Sequence, residues 1–331
     1  MGGCSNTTRH TVPYAAALPA TVTLGETMVA IALANNRGGA GKTILVTVIA
    51  QRLAAKGKKV VVIDVSRFGD ASRALLGGRE DGERRLREVP AARTAGGLFL
   101  AARTRAVGWS AYMPWNWRAA PIAFDAVSER VNDNLRVCIG TPVLADLPEP
   151  DERIFNEIVT SIKAAIAATD AIVIFDTDHE VGTWYGRVAL AAADRIVVPI
   201  STSIADVVRL FYQRDALFAV LSDMGDCAAK VTHAIINNVP VTSFKETGGF
   251  DRGGERANLP FKVSAAAASD IVEVVEILDK NIPENVAKGK VKVMAFPTMP
   301  SSASNALQTG NTEIGDNLTE AADEIVCAIS K

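Results

Sequence analysis

The run Asn36-Arg37-Gly38-Gly39-Ala40-Gly41-Lys42-Thr43 lies between a β-rich segment, Val29 to Leu33, and a helix-forming one, Ile44 to Ala55. Closely spaced glycines let backbone N–H groups turn inward around an anion, and the helix that follows presents the positive end of its dipole. Lys42 supplies a mobile cation and Thr43 a hydroxyl for a divalent metal. The pattern reads as a loop for the phosphates of a nucleoside triphosphate, contacted by Gly38, Gly39, Ala40, Gly41, Lys42, Thr43 and Ile44.

A chain of 331 residues with 48% hydrophobic content has ample material for a core. The formal net charge of −2 gives no whole-molecule attraction to nucleic acid or to an anionic membrane, so any DNA contact must come from a local patch. Cys4, Cys138, Cys227 and Cys327 are widely spaced and show no CxxC pair, which points to reduced thiols rather than zinc, a disulfide framework or a cluster site. No apolar run reaches the length of a membrane span, and the expected location is cytoplasmic.

Lys56-Gly57-Lys58-Lys59 closes the helix after the loop, and the apolar run Val60 to Ile63 ends in Asp64. Similar runs follow at Ala171 to Phe175, ending in Asp176, at Arg195 to Ile200, and at Val231 to Ile236, ending in Asn237. Helical patterns separate them at Glu152 to Ala168, Gly186 to Ala193 and Ser203 to Leu221. Alternating strands and helices predict an α/β fold, a doubly wound, mostly parallel sheet with helices on both faces and ligands at the carboxyl ends of the strands.

The generic phosphate-loop pattern wants Gly where Asn36 stands, and what fits instead is a basic residue followed by Gly-Gly-x-Gly-Lys-Thr. This resembles the deviant Walker A motif of the ParA/MinD family of dimerising P-loop ATPases, closest to the ParA-type DNA partition ATPases. The resemblance runs on through Ala191-Ala192-Ala193-Asp194 into the strand ending Pro199-Ile200, and through Ile235-Ile236-Asn237-Asn238-Val239. It is collinear over about residues 28 to 240 and fades beyond.

The family likeness implies ATP and Mg²⁺ as cofactors. Lys42 and the amides of Gly39 and Gly41 would hold phosphate, Thr43 and Asp176 would organise the metal, and Asp64 would support the metal and water shell. Asn237 becomes a candidate adenine contact, with Pro297 packing near the base. The signature residue at the Arg37 position is normally lysine and reaches across a dimer to the partner's nucleotide; arginine keeps the charge but is longer and planar. Implied partners are a second copy, as an ATP-dependent homodimer or a filament, non-specific DNA, which would bring nucleoid association, and a small adaptor or centromere-binding protein.

Two loops depart from the family. Where it carries Asp-x-Asp-Pro-Gln-Gly, the chain reads Asp64-Val65-Ser66-Arg67-Phe68-Gly69; where it carries Asp-x-Pro-Pro, the chain reads Asp176-Thr177-Asp178-His179. The aspartate missing at Ser66 helps position the attacking water, and serine does not replace a carboxylate as a strong acceptor. Either Asp178 or Glu180 takes that part, or hydrolysis is slow and ATP acts chiefly as a switch. His179 has no second histidine at ligand spacing and reads as a loop residue.

Residues 1–27 read as a flexible extension, too short for a winged helix, and residues 28–331 as a single ATPase domain with an atypical Arg/Trp-rich insertion at about 79–136. That insertion carries Arg84, Arg85, Arg87, Arg93, Arg103 and Arg105, then Trp109, Tyr112, Trp115 and Trp117, as a partner surface, as a grip on DNA phosphate and bases, or as a satellite core. Lys288, Lys290 and Lys292 alternate as on an edge strand or a phosphate-facing strand. The acids Glu320, Asp323 and Glu324 of the last helix argue against a membrane anchor. The function expected is a ParA-like ATPase that dimerises on Mg-ATP and binds DNA non-specifically to segregate or position a plasmid, a chromosome region or other cargo. The alternatives are an ATP-binding filament or scaffold protein with little hydrolysis, and a metabolic ATP-dependent enzyme on the same fold.

Overall fold

A computed structural model of the chain describes residues 30–107, 121–212, 215–243, 248–252, 255–259, 261–283, 286, 291–297 and 313–330. The N-terminal extension, Cys4, the aromatic cluster Trp109 to Trp117, and Lys288 and Lys290 lie outside the described residues.

The strands are β1 (Ala30–Leu33), β2 (Val60–Val65), β3 (Glu129–Arg130), β4 (Leu135–Cys138), β5 (Ile172–Thr177), β6 (Arg195–Ile200), β7 (Val231–Val239), β8 (Val241–Ser243), β9 (Gly248–Arg252), β10 (Glu255–Leu259), β11 (Lys262–Val263) and β12 (Lys292–Pro297). The helices are α1 (Lys42–Ala55), α2 (Asp70–Leu75), α3 (Gly78–Glu88), α4 (Ala95–Val107), α5 (Phe124–Val127), α6 (Val143–Asp146), α7 (Glu152–Ala167), α8 (Trp184–Ala192), α9 (Ile204–Tyr212), α10 (Leu217–Asp223), α11 (Ala265–Asn281) and α12 (Glu313–Ser330). Eight strands form one sheet in the order β12-β7-β6-β1-β5-β2-β4-β3, parallel except for the β3–β4 pair. The expected fold class is the observed one.

Every residue of β1 and β2 is buried, as a strand covered on both faces requires, and their unbroken apolar runs supply that burial. In α7 the apolar face Ile158, Ile162, Ala165 and Ile166 repeats at helical spacing, and the Asp151 side chain caps the first turn by accepting the Ile154 N–H at 2.7 Å. Thr183 and Ser264 cap α8 and α11 in the same way. By contrast α1 begins at Gly41 with no side-chain cap, so its first amides are left for another acceptor. Asp323 of α12 ties that helix to α1: Arg52 forks onto it at 3.0 and 2.9 Å, with Lys56 at 3.1 Å.

Two readings need adjustment, and one of two alternatives is favoured. The helical pattern over Ser203 to Leu221 forms two helices, because Ala216 takes an extended conformation ahead of α10. The described part of the Arg-rich segment is woven into the main body: α4 buries Leu98, Phe99 and Ala102, Trp184 meets Phe99 edge-on at 5.6 Å, and β4 pairs with β2. Four of its arginines are occupied nearby, Arg84 by Asp81, Arg85 by the Arg130 carbonyl, Arg93 by Glu129 and Arg103 by the Pro148 carbonyl. Lys292 opens β12, the edge of the sheet next to β7, which suits a lysine guarding an edge.

Candidate functional site

The parallel register brings the carboxyl ends of β1, β2 and β5 to one level, with Leu33 beside Asp176 and Asp64 beside Asp176. The glycine loop follows β1 and sits over these ends. Gly39 and Gly41 take φ of 82° and 85°, the left-handed region that glycine enters without strain. At Gly41 a side chain is excluded twice, since a Cβ there would lie 1.6 Å from Asn237 Nδ2.

Lys42 is buried, and its Nζ donates to the Arg37 carbonyl at 2.8 Å, an acceptor that an incoming phosphate oxygen can replace. Burial pulls the Lys42 ammonium below its ordinary range, opposed by the charges of Asp176 and Asp178. The Thr43 hydroxyl donates to Asp176 Oδ2 at 2.9 Å, while Asp176 Oδ1 is buried without a partner among the described residues. Burial, and then the charge of Asp64, push the Asp176 carboxyl well above the usual carboxylate range; the Thr43 hydrogen bond and Lys42 pull it back. A buried carboxylate with one open oxygen beside a threonine hydroxyl is the hard-oxygen donor set that suits Mg²⁺. Among the described residues no cluster of three His, Cys, Asp or Glu could hold a metal by itself, so a cation there would also need ligands from phosphate and water.

Asp64 is hydrogen-bonded on both oxygens. One carboxylate oxygen accepts the Ser66 N–H at 3.1 Å and the Ser66 hydroxyl at 2.7 Å; the other accepts the Ser72 N–H at 2.8 Å and the Ser72 hydroxyl at 2.7 Å. Gly140, just past β4, closes over it so tightly that a Cβ would come within 2.7 Å of the carboxylate. Burial raises the Asp64 carboxyl, and the four hydrogen bonds oppose that rise. With both oxygens doubly occupied, Asp64 brackets the loop after β2.

The Asn237 amide donates to the Ala40 carbonyl at 3.3 Å, and Asn237 Oδ1 is buried without a partner among the described residues. Its amide thus braces the phosphate loop from below. Pro297 ends β12 opposite Val239, which sets it next to the end of β7 that carries Asn237. Ile44 is partly exposed at the start of α1.

In the loop after β5, Asp178 is buried and accepts the His179 N–H at 2.6 Å; Arg67 reaches Asp178 at 3.5 Å and Glu180 at 2.9 Å. The loops that follow β2 and β5 are thus bridged by Arg67. His179 contacts these same acids. Cys138 and Cys227 are buried and unbonded, and Cys327 is unbonded.

Sequence reasoning missed two groups here. Asn35 is buried, donates to the Pro199 carbonyl at 2.5 Å and accepts the Arg37 N–H at 3.0 Å. Asp206, in the first turn of α9, pairs with the Arg37 guanidinium. An acid in the helix after a strand that ends in Pro-Ile was a visible signal, but nothing local tied it to Arg37. A separate cavity of about 660 Å³ opens at the amino ends of β2 and β5, where Lys59 pairs with Asp170 and Arg136 with Asp125 at 3.1 Å. It lies away from the phosphate loop. Among the described residues no helix is long and apolar enough to cross a membrane.

The sequence matches the model of a family described as AAA domain over residues 28–207, more than half of the chain. The fold is similar to McdA from Cyanothece in its apo form, with TM-score 0.56, 16% identity, and 90% of this chain and 99% of that one covered. It is similar too to cobyrinic acid a,c-diamide synthase from Mycobacterium smegmatis with a bound ATP analog and magnesium, with TM-score 0.56, 16% identity, and 92% and 94% covered. A plasmid partition protein from Borrelia burgdorferi gives TM-score 0.53 and 13% identity, with 89% and 97% covered. At such identities the likeness carries the fold alone. No curated protein matches the sequence.

Proposed function

The chain belongs to the AAA domain family of ParA/MinD-type P-loop NTPases, and on that premise we propose that it is an ATP-driven switch. In this reading it binds Mg-ATP, self-associates in that state, and then binds DNA without sequence preference to segregate or position a plasmid, a chromosome region or other cargo. The observation that carries the nucleotide part is the Thr43 hydroxyl 2.9 Å from Asp176 Oδ2, with Asp176 Oδ1 buried and open beside it.

The geometry supports the following roles. The uncapped first amides of α1 and the Lys42 ammonium bind phosphate. Thr43 and Asp176 hold Mg²⁺, which supplies charge neutralisation at the terminal phosphate when bound. Asn237 and Asn35 keep the loop shaped from beneath. Arg37 offers the second cation. The DNA part rests on the family and on the kinship of the fold with a partition protein.

Turnover is slow in this reading, since Ser66 spends its hydroxyl on Asp64 and offers no acceptor charge to water. That same bond favours a second reading, a scaffold or filament protein that uses ATP as a conformational ligand. One sample followed for self-association, for binding to random-sequence DNA and for phosphate release separates them, with Lys42→Ala as the control. ATP-dependent association with salt-sensitive DNA binding, both lost in the control, supports the switch. Association with no phosphate release and no DNA binding supports the scaffold. Phosphate release that needs a small-molecule substrate and ignores DNA would replace both with a metabolic enzyme.

A further inference from the structure

Arg37 is fixed at three points. Its N–H donates to Asn35 Oδ1 at 3.0 Å, its carbonyl accepts from Lys42 Nζ at 2.8 Å, and its guanidinium Nη1 pairs with Asp206 Oδ1. Asp206 is built into the turn between β6 and α9. Its other oxygen accepts the Ser201 hydroxyl, whose oxygen in turn accepts the Ser203 N–H at 3.2 Å. The Asp206 side chain is 10% exposed, whereas that of Arg37 is 38% exposed. The carboxylate thus lies inside and the guanidinium reaches outward from it.

We propose that Asp206 is a positioning residue for Arg37: it grips the Nη1 side of the guanidinium so that the opposite edge faces the terminal phosphate of a bound nucleoside triphosphate. This rests on the nucleotide-binding reading above. It holds whether that phosphate belongs to the same copy or to a second one. Arginine carries five N–H donors in a rigid planar fork, so one edge can serve a carboxylate while another serves a phosphate. A lysine ammonium is a single point charge that must divide itself between the two. A buried carboxylate also resists losing its counter-charge, so phosphate adds to the Arg37–Asp206 pair rather than breaking it. Position 37 therefore carries arginine because Asp206 is beneath it.

The test is the affinity of the full chain for ATP and for ADP with Mg²⁺, by calorimetry, in the parent, Asp206→Asn, Asp206→Glu, Arg37→Lys and Lys42→Ala. Asp206→Asn keeps the shape and removes the charge; ATP binding is expected to weaken roughly tenfold and ADP binding less than about twofold. Asp206→Glu is expected to restore most of the preference for ATP, and Arg37→Lys to lose it. A merely structural role would weaken both nucleotides alike and leave their ratio unchanged, which would overturn the proposal. Tighter ATP binding in Asp206→Asn would also overturn it, by making Asp206 a brake that competes with phosphate. Should Asp206→Asn fail to fold, Arg37→Lys and Asp206→Glu decide by the same ratio. A parent that binds ATP no better than Lys42→Ala removes the nucleotide reading and this inference with it, whereas a parent that binds ATP with an unchanged ratio in the variants removes this inference alone.

Discussion

Asp64 and Asp176 end neighbouring strands at the same level of one sheet, both fully buried, and the structure treats them in opposite ways. Asp64 receives four donors from Ser66 and Ser72 and is closed over by Gly140. Asp176 receives the Thr43 hydroxyl on one oxygen and keeps the other open. A carboxylate whose lone pairs are all taken is part of the frame; one with an unused oxygen in a buried place calls for an explanation, and the proposed metal site supplies one. Position at a strand end makes an aspartate available for chemistry, and only its hydrogen-bond partners decide whether it is used.

The largest effect should come from breaking the closed member. Asp64→Ala leaves the Ser66 and Ser72 donors without an acceptor in a buried place, and a loss of about 3 kcal/mol or more is expected in urea denaturation. A loss below about 1 kcal/mol would mean that water or the loop itself replaces the carboxylate. Asp176→Asn should do the reverse. It removes one of two buried charges that oppose each other, so stability should hold or rise by about 1 kcal/mol, while the Mg²⁺ dependence of ATP binding falls by roughly 10–100-fold. An unchanged Mg²⁺ dependence would show that the open oxygen is not a metal position.

The smallest effect separates an open atom from a site. His233 Nε2 is also buried without a partner among the described residues, but it lies near the start of β7, away from the phosphate loop. Burial, helped by the charges of Lys292 and Arg195, pushes its pKa down from 6.5 to about 4. Between those values the unfolded chain binds a proton that the folded chain refuses, so stability is whole above pH 6.5 and drains away as pH falls toward 4. His233→Gln should flatten that part of the pH–stability curve and leave ATP affinity unchanged. Identical slopes for parent and variant would show that His233 is solvated in the native state.

The phosphate loop and the central strands were legible because each is written in consecutive residues: glycines before Gly-Lys-Thr, and unbroken apolar runs closed by an acid. Thr43 accordingly meets Asp176, as the family resemblance implied. The bracket on Asp64 was not legible, because Ser72 and Gly140 reach it from a separate helix and a separate strand end. Nor was the use of Asn237 beneath the loop, which depends on how closely β7 approaches Gly41. The hairpin β9–β10, the antiparallel pair β8–β11 and the break between α9 and α10 fell on polar, irregular stretches where periodicity is weak.

By itself the sequence determined a doubly wound parallel sheet with a phosphate loop at the carboxyl end of its first strand, because burial of apolar runs and the backbone freedom of glycine are local properties. The tertiary structure decided which of two equivalent acids stays open, and that Arg37 rests on Asp206. Both depend on side chains far apart in the chain, and only the packing of the folded sheet brings them within hydrogen-bond reach.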